Sequence, residues 1–443
     1  MEHNYNLNMS KEEQEKFLSI TRTSTFGDLM SSFKQKLGQD QKTNPKEESS
    51  SKFVLAQLDR KMMKETVVSF PIDLLLNSKS VYTFSKLQLD FGAQPSKIYD
   101  VRFVIPLLYH SVSPSLFVDC RDFIARRCLA LTLTGLSSED QQMRALCYKI
   151  LERYYEHLLS ALMIDKQLWI NFIDLIRNSI TTPNARLRFI FTTFLVKIID
   201  VLLHPDNDKM YELVKEFLTG KPKLRIDTIE LYDDLLLCSD VDCYNNNLRW
   251  LLSLFRDGIR SKNDLKVAID LNVIPQMMCL YNSELRFERA NELILSIFIR
   301  IASVDGGGNR LVAEYSFLPW LHQVILSHLN QDPQDIKNDP KSESLGDLTR
   351  SISSVVFTLI DTLLKGSELE QLTLPRLLEL VNLCIVLHDL VIKSKNASVL
   401  EYYLGYVKKI AKVLRKNDKI PDQLARHVLE LVKEKMPYLT AQP

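Results

Sequence analysis

An all-α protein, built as an irregular HEAT- or armadillo-like array of paired helices, is what this 443-residue sequence predicts. Three observations carry the expectation. Apolar residues recur at three- and four-residue intervals in one segment after another, the stripe of an amphipathic helix, while alternating strand patterns are hard to find. Only 12 glycines occur, few for an enzyme organised on glycine-rich loops. A pattern of polar cap, apolar–arginine pair and apolar residues every four positions returns after 44 residues, inside the roughly 40–47 residues of HEAT and armadillo units.

Taken in order, residues 1–52 form a polar leader rich in Ser, Lys, Glu and Gln, too poor in apolar side chains to fold alone and expected to be disordered. Its apolar pieces, such as Phe17, Leu18 and Ile20, suit a docking peptide as the competing reading. A helical-repeat domain is expected over 53–330. Its first part is mixed: Phe70 precedes Pro71 and is pushed toward extended backbone, and Pro106 bends or starts a helix. The clearest unit is a helical hairpin from Asp119 to Leu158. Its first arm carries Cys120, Phe123, Ile124 and Leu131, with the stem of Arg127 on the same face. Gly135 is expected to close that arm in the left-handed conformation, and Ser138 with Gln141 to form a capping box for the second. The second arm places Met143, Leu146, Cys147, Ile150, Leu151, Tyr154 and Leu158 along one face. Such a hairpin cannot bury both faces alone and needs neighbours.

Helices are expected at 163–180 and from just after Pro183. In the latter, Asn184, Leu187-Arg188, Phe191 and Leu195 repeat the offsets of Asp140, Met143-Arg144, Cys147 and Leu151. Asn245, Leu248-Arg249 and Leu252 open the pattern a third time, 61 residues further on, so the repeat is irregular. A helix is expected over 285–303, followed by a flexible turn at Gly306, Gly307 and Gly308. Residues 331–347 read as a polar, proline-containing linker. Beyond it a C-terminal helical segment, 348–443, holds four expected helices at 348–365, 374–393, 397–416 and 422–436.

The chemistry of the chain excludes more than it selects. Lys plus Arg number 56 against 55 Asp plus Glu, so net charge gives no global attraction to nucleic acid. Seven cysteines without C-x-x-C spacing point to a reducing compartment. No secretory h-region is recognisable, and the most apolar run, from Phe189, is broken by Lys197 and Asp200 and too short for a bilayer. Phosphate-loop, dinucleotide, H-E-x-x-H and G-x-S-x-G motifs are missing, and the eight histidines do not stand at ligand spacing. No catalytic, cofactor or metal residue, membrane contact or small-molecule substrate is expected. Two basic surfaces are candidate contacts for RNA or a partner. Lys408, Lys412, Arg415 and Lys419 share one helix face opposite Tyr403, Val407, Ile410 and Leu414, a stripe that could track phosphates or simply be solvated. Arg126 and Arg127, with Arg144 and Arg188, make the second, for which structural pairing with acids of the next repeat is the competing reading. Tyr154, Tyr155, Tyr402 and Tyr403 read as core and rim residues.

The succession IYDVRFVIPLLYH, FVDCRDFIARRCLALTLTGLSSEDQQMRALCYKILERYYEHL and LIRNSI, continued by RWLLSLFRDGIRSKNDL and FLPWLHQVIL, resembles the C-terminal domain of the nucleolar pre-ribosomal-associated protein family over roughly residues 95–330. The VDC, LALTL, LSS and MRA block is its most specific part. The resemblance implies a non-catalytic scaffold in the nucleus and nucleolus. It would act in early precursors of the large ribosomal subunit and in maturation of 5.8S and large-subunit rRNA. Implied partners are assembly factors, an RNA helicase among them, and pre-rRNA. The alternative is a HEAT-like cytosolic adaptor unrelated to ribosomes.

Overall fold

The structure, a computed structural model, describes residues 54–78, 98–205, 208–238, 240–284, 287, 289–330, 345–364, 373–394 and 399–400, with Tyr402, Tyr403, Gly405, Tyr406, Lys409 and Glu430. Among the described residues every regular element is a helix, arranged as irregular helical-repeat arrays. They fall into two compact units, the first ending at Leu231 and the second beginning at Tyr232.

The first unit contains α1 (Arg60–Val68), α2 (Val101–Ser111), α3 (Cys120–Ala125), α4 (Cys128–Gly135), α5 (Gln141–Ser160), α6 (Lys166–Ser179), α7 (Phe189–Leu202) and α8 (Tyr211–Thr219). Its centre is α4, which packs against α5 and α7 and is also met by α1, α2 and α3. Every residue of α4 is buried. The sequence CLALTLTG permits this because it has no charge, and Thr132 and Thr134 donate their hydroxyls to the carbonyls of Cys128 and Ala130 at 2.8 and 2.9 Å. No polar side chain on the helix therefore enters the core unsatisfied. Burying each of Leu129, Leu131 and Leu133, none of them exposed, contributes roughly 1.5–3 kcal/mol.

The hairpin differs from expectation at three points. Its first arm is two helices, because Arg127 takes φ 64°, a left-handed conformation that redirects the chain between α3 and α4. For a residue with a Cβ this costs roughly 1–2 kcal/mol, which the ion pair of Arg127 Nη1 with Asp200 Oδ1 at 2.6 Å and the burial of α4 offset. Gly135 is helical and not left-handed. A Cβ there would lie 2.3 Å from Cys147 Sγ, so the glycine exists to let α4 and α5 touch. The cap of α5 is Asp140 and not Ser138. Asp140 Oδ1 accepts from Gln142 N at 2.9 Å and Oδ2 from Leu76 N at 2.6 Å, while Ser138 Oγ accepts from Asp140 N. A carboxylate next to the first turn of a 20-residue helix meets the positive end of the helix dipole, which a hydroxyl two residues earlier does not. Across the hairpin, Tyr154 stacks on Phe123 at 4.8 Å and donates its hydroxyl to the Cys120 carbonyl.

The helix expected from Pro183 starts only at Phe189. Asn184 is left-handed at φ 51°, and residues 184–187 form a strap across the α4–α5 turn. Leu187 N donates to Leu136 O at 3.1 Å, Tyr148 OH to Ala185 O at 2.7 Å, Arg186 Nε to Ser137 O at 3.0 Å and Asn184 Nδ2 to Gln141 O at 3.2 Å. Two of these long-range bonds occupy backbone groups, Leu187 N and Ala185 O, that a helical turn would have used. The 44-residue echo therefore survives in the apolar positions Phe191 and Leu195, both buried, and fails at the caps. Pro106 lies inside α2, which starts at Val101 behind the Asp100 cap.

The second unit contains α9 (Tyr232–Leu236), α10 (Val241–Gly258), α11 (Lys262–Asp270), α12 (Val273–Tyr281), α13 (Ala290–Ser303), α14 (Gly307–Glu314), α15 (Phe317–Asn330), α16 (Leu345–Leu363) and α17 (Leu374–Ser394). Here α13 is central, with packing to both α10 and α16, and α17 closes on α15 and α16. Phe298, Phe317 and Trp320 fill the space between α13 and α15, with ring centroids 4.7 to 5.2 Å apart. Asn245 lies within α10 and caps nothing, and α13 begins at Ala290, after a left-handed Arg289 at φ 63°. The glycine run is no loose turn. Gly306 holds φ 76°, and Gly307 and Gly308 open α14 in full burial. A Cβ at Gly307 would meet Ile301 O at 1.9 Å and one at Gly308 would meet Thr362 Oγ1 at 2.7 Å. Helix α16 starts at Leu345, inside the expected linker of 331–347, and α17 stands at the expected 374–393. The leader 1–52, residues 331–344 of the linker, the greater part of 397–416 and nearly all of 422–436 lie outside the described residues.

Candidate partner interface

The basic residues of the first unit are used as internal staples. Arg126, at the end of α3, pairs through Nε with Asp122 Oδ2 at 2.7 Å and donates from Nη1 to the carbonyls of Ala56 and Leu58 at 3.3 and 3.2 Å. Arg127 reaches Asp200 on α7, so it binds the helix that follows in the array. Arg144 donates from Nη1 to the carbonyls of Ser138 and Glu139 at 2.8 and 3.0 Å, and from Nε to that of Asn184 at 3.3 Å. Burial, and then the charge of Arg186, lower its guanidinium from the ordinary arginine range. Arg188 Nη1 donates to Asp227 O at 2.6 Å. All four guanidiniums are engaged with protein acceptors, and a phosphate or acidic side chain meeting them would have to share or displace those acceptors.

Of the lysine-bearing surface, Lys408, Lys412, Arg415 and Lys419 lie outside the described residues. Tyr403, Tyr406 and Lys409, described residues near them in sequence, pack against α16 and α17. Tyr403 is buried and donates to Cys384 O on α17 at 2.8 Å. Tyr406 stacks on Phe357 of α16 at 4.4 Å and donates to Asp361 Oδ2 at 2.7 Å, and Lys409 pairs with Asp361 Oδ1. Tyr154 is likewise buried, Tyr155 donates to Asp174 Oδ2, and Tyr402 is exposed.

A surface that sequence patterning missed lies between α5 and α6. Leu162 and Ile164 are fully exposed, with Leu159 half-exposed beside them, and Phe117 is 61% exposed in the loop before α3. His157 on α5 hydrogen-bonds the carbonyls of Val112 and Ser113 at the start of that loop, and Arg121 approaches Asp165 at 3.8 Å. The loop has no periodicity, so nothing in the sequence separates these apolar residues from core ones. Among the described residues no group of three or more His, Cys, Asp or Glu could hold a metal ion, and no helix is long and apolar enough to cross a membrane.

Residues 129–320 match a family model described as "Nucleolar pre-ribosomal-associated protein 1". The human protein of that name is 29% identical over 284 residues, covering 63% of this chain and 12% of its own length. The mouse protein is 30% identical over 280 residues, covering 62% and 12%. The protein of that name from Saccharomyces cerevisiae is 34% identical over 104 residues, covering 23% and 6%. The chain thus spans about an eighth of the length of its human and mouse relatives. No solved structure matches it.

Proposed function

We propose that the chain, which is similar to the nucleolar pre-ribosomal-associated protein family over residues 129–320, is a helical scaffold segment acting in nucleolar precursors of the large ribosomal subunit. The single observation carrying this reading is the match itself, which begins in α4 and runs through α13 to α15. The buried α4 and the strap at 184–187, which give the first unit its shape, lie inside the matched segment. The reading has no catalytic step. Stacked helices with stapled arginines offer extended surfaces for large partners, and in the free chain the engaged guanidiniums hold those surfaces in place.

The proposed partners are other large-subunit assembly factors, an RNA helicase among them, and pre-rRNA whose maturation to 5.8S and large-subunit rRNA the scaffold supports. RNA is proposed to run along Lys408, Lys412, Arg415 and Lys419, with Arg126 and Arg127 as a second contact that exchanges carboxylate for phosphate. The full chain carrying a fluorescent tag should concentrate in nucleoli. A diffuse cytosolic or vesicular signal would favour the cytosolic adaptor instead.

A further inference from the structure

The last turns of α10 and α13 each carry an arginine, Arg256 and Arg300. A cation suits a helix C-terminus, where the dipole is negative. That accounts for one guanidinium at each end; it does not account for their lying within electrostatic reach of one another and of Arg260. Arg256 is neutralised in place, its Nε and Nη2 donating to Asp257 Oδ1 and Oδ2 at 2.8 and 3.2 Å, with Glu292 also within reach. Arg260 Nε donates to Asp257 O at 3.2 Å. Asp264 is consumed by the capping box of α11, where its Oδ2 accepts from Ser261 N and Ser261 Oγ at 2.9 and 2.7 Å.

Arg300 is the exception. Its Nε is shielded from solvent and has no hydrogen-bond partner. Burial, then Arg260, weaken its hold on its proton more than Asp257 strengthens it. A buried, unpartnered charge beside two like charges is expensive for a fold to keep. A chain selected for stability alone would place methionine or leucine there.

We propose that Arg300, with Arg260 beside it, receives the carboxylate of a Glu or Asp side chain presented by an acidic segment of a partner protein. Of these three guanidiniums Arg300 is the one with a shielded nitrogen lacking a hydrogen-bond acceptor, and one carboxylate would supply it. Asp257 lies within electrostatic reach of Arg300, and Glu292 within reach of Arg256, and these acids repel the successive phosphates of a nucleic acid more than one tethered carboxylate. The guanidinium is recessed, so a side chain on a flexible stem reaches it more readily than a phosphodiester flanked by riboses. The inference stands on α10, α11 and α13 alone and does not depend on the nucleolar reading.

The test uses the full chain and two labelled probes, hexaglutamate peptide and hexauridylate RNA, titrated by fluorescence anisotropy, with thermal unfolding of each variant. Hexaglutamate should bind saturably and more tightly than hexauridylate. Arg300→Met should weaken it by roughly tenfold or more, the scale of a lost charge-assisted hydrogen bond, while the melting temperature holds or rises. Arg300→Lys, which keeps the charge and loses the planar fork, should weaken binding by an intermediate amount. Arg225→Gln, on the far more exposed Arg225, should leave binding unchanged. The proposal is overturned if Arg300→Met lowers the melting temperature by several degrees, which would make Arg300 a structural residue. Equal affinity of wild type and Arg300→Met, tighter binding of hexauridylate through Arg300, or lack of saturable hexaglutamate binding would each overturn it too.

Discussion

Replacing Gly135 with alanine probes the contact on which the first unit is centred. The new methyl would stand 2.3 Å from Cys147 Sγ and at ordinary contact distance, 3.5 Å, from Cys147 Cβ and Ile105 Cδ1. The clash is therefore with one atom, and that atom is on a fully buried cysteine of α5. Overpacking of this kind costs about 1–3 kcal/mol, against a helix-propensity gain of at most about 1 kcal/mol for leaving glycine. The net expectation for Gly135→Ala is a loss of about 1–2 kcal/mol. Cys147→Ala alone removes the sulfur, leaves a small void and costs about 1 kcal/mol. Together the two changes put a methyl where the sulfur was. The double variant should then be more stable than the sum of the singles predicts, by about 1–2 kcal/mol. Urea unfolding followed by circular dichroism, with hydrogen exchange of α4 and α5 amides, measures all three corners of the cycle. A neutral Gly135→Ala, or strictly additive effects, would show that α4 and α5 are not in this contact and would refute the placement of α4.

Asp140→Ala should cost about 1–2 kcal/mol through loss of the α5 cap and should speed exchange at the amides of Gln142 and Leu76, which donate to it. Arg127→Gly should lie within about 1 kcal/mol of wild type in urea, since relief of the left-handed backbone offsets the lost Asp200 pair, itself worth at most about 1 kcal/mol at this exposure. Arg127→Val should cost at least about 2 kcal/mol, because a β-branched residue adds strain without the pair. Burial pushes the Cys120 thiol up to about 12, with Asp119 adding to it, and burial alone does the same for Cys384, against about 9 in an unfolded chain. The folded state thus keeps protons that the unfolded state releases. Stability is fully present below pH 9 and falls as pH rises from 9 toward 12, which unfolding at pH 8 and pH 10.5 would register. At pH 8, alkylation should reach the exposed Cys279 well before the buried Cys128 and Cys147.

The helical character of the chain was legible because amphipathic stripes are local: Met143 to Leu158 face one way whatever packs on them. The eight buried residues of α4 show the limit of that signal. CLALTLTG has no polar face, so periodicity cannot say that it is the centre and not one arm of a pair. The break at Arg127 was invisible for a related reason. Its left-handed backbone is sustained by Asp200, 73 residues away, and local propensity for arginine points to a continuous helix. Glycine misled at Gly135, Gly307 and Gly308, because the sequence reads it as conformational freedom when these positions need the absence of a Cβ; of the run, Gly306 alone uses a left-handed backbone. The strap at 184–187 was read as the start of a helix, since its hydrogen bonds go to Leu136, Ser137, Gln141 and Tyr148 and none is local. For the interface, the residue types of Arg126 and Arg127 were visible, while their engagement with Asp122 and Asp200 required the fold. Arg300 carried no local mark: an arginine closing a helix is ordinary until Arg256 and Arg260 are seen beside it.

The central claim, that this chain works within nucleolar precursors of the large ribosomal subunit, is tested most directly by affinity purification. The tagged full chain should be isolated under mild salt and the co-purifying RNA hybridised with probes against transcribed spacers flanking 5.8S and large-subunit rRNA. The account predicts enrichment of spacer-containing large-subunit precursors over mature rRNA and over small-subunit precursors. Recovery of cytosolic complexes free of precursor rRNA would contradict it.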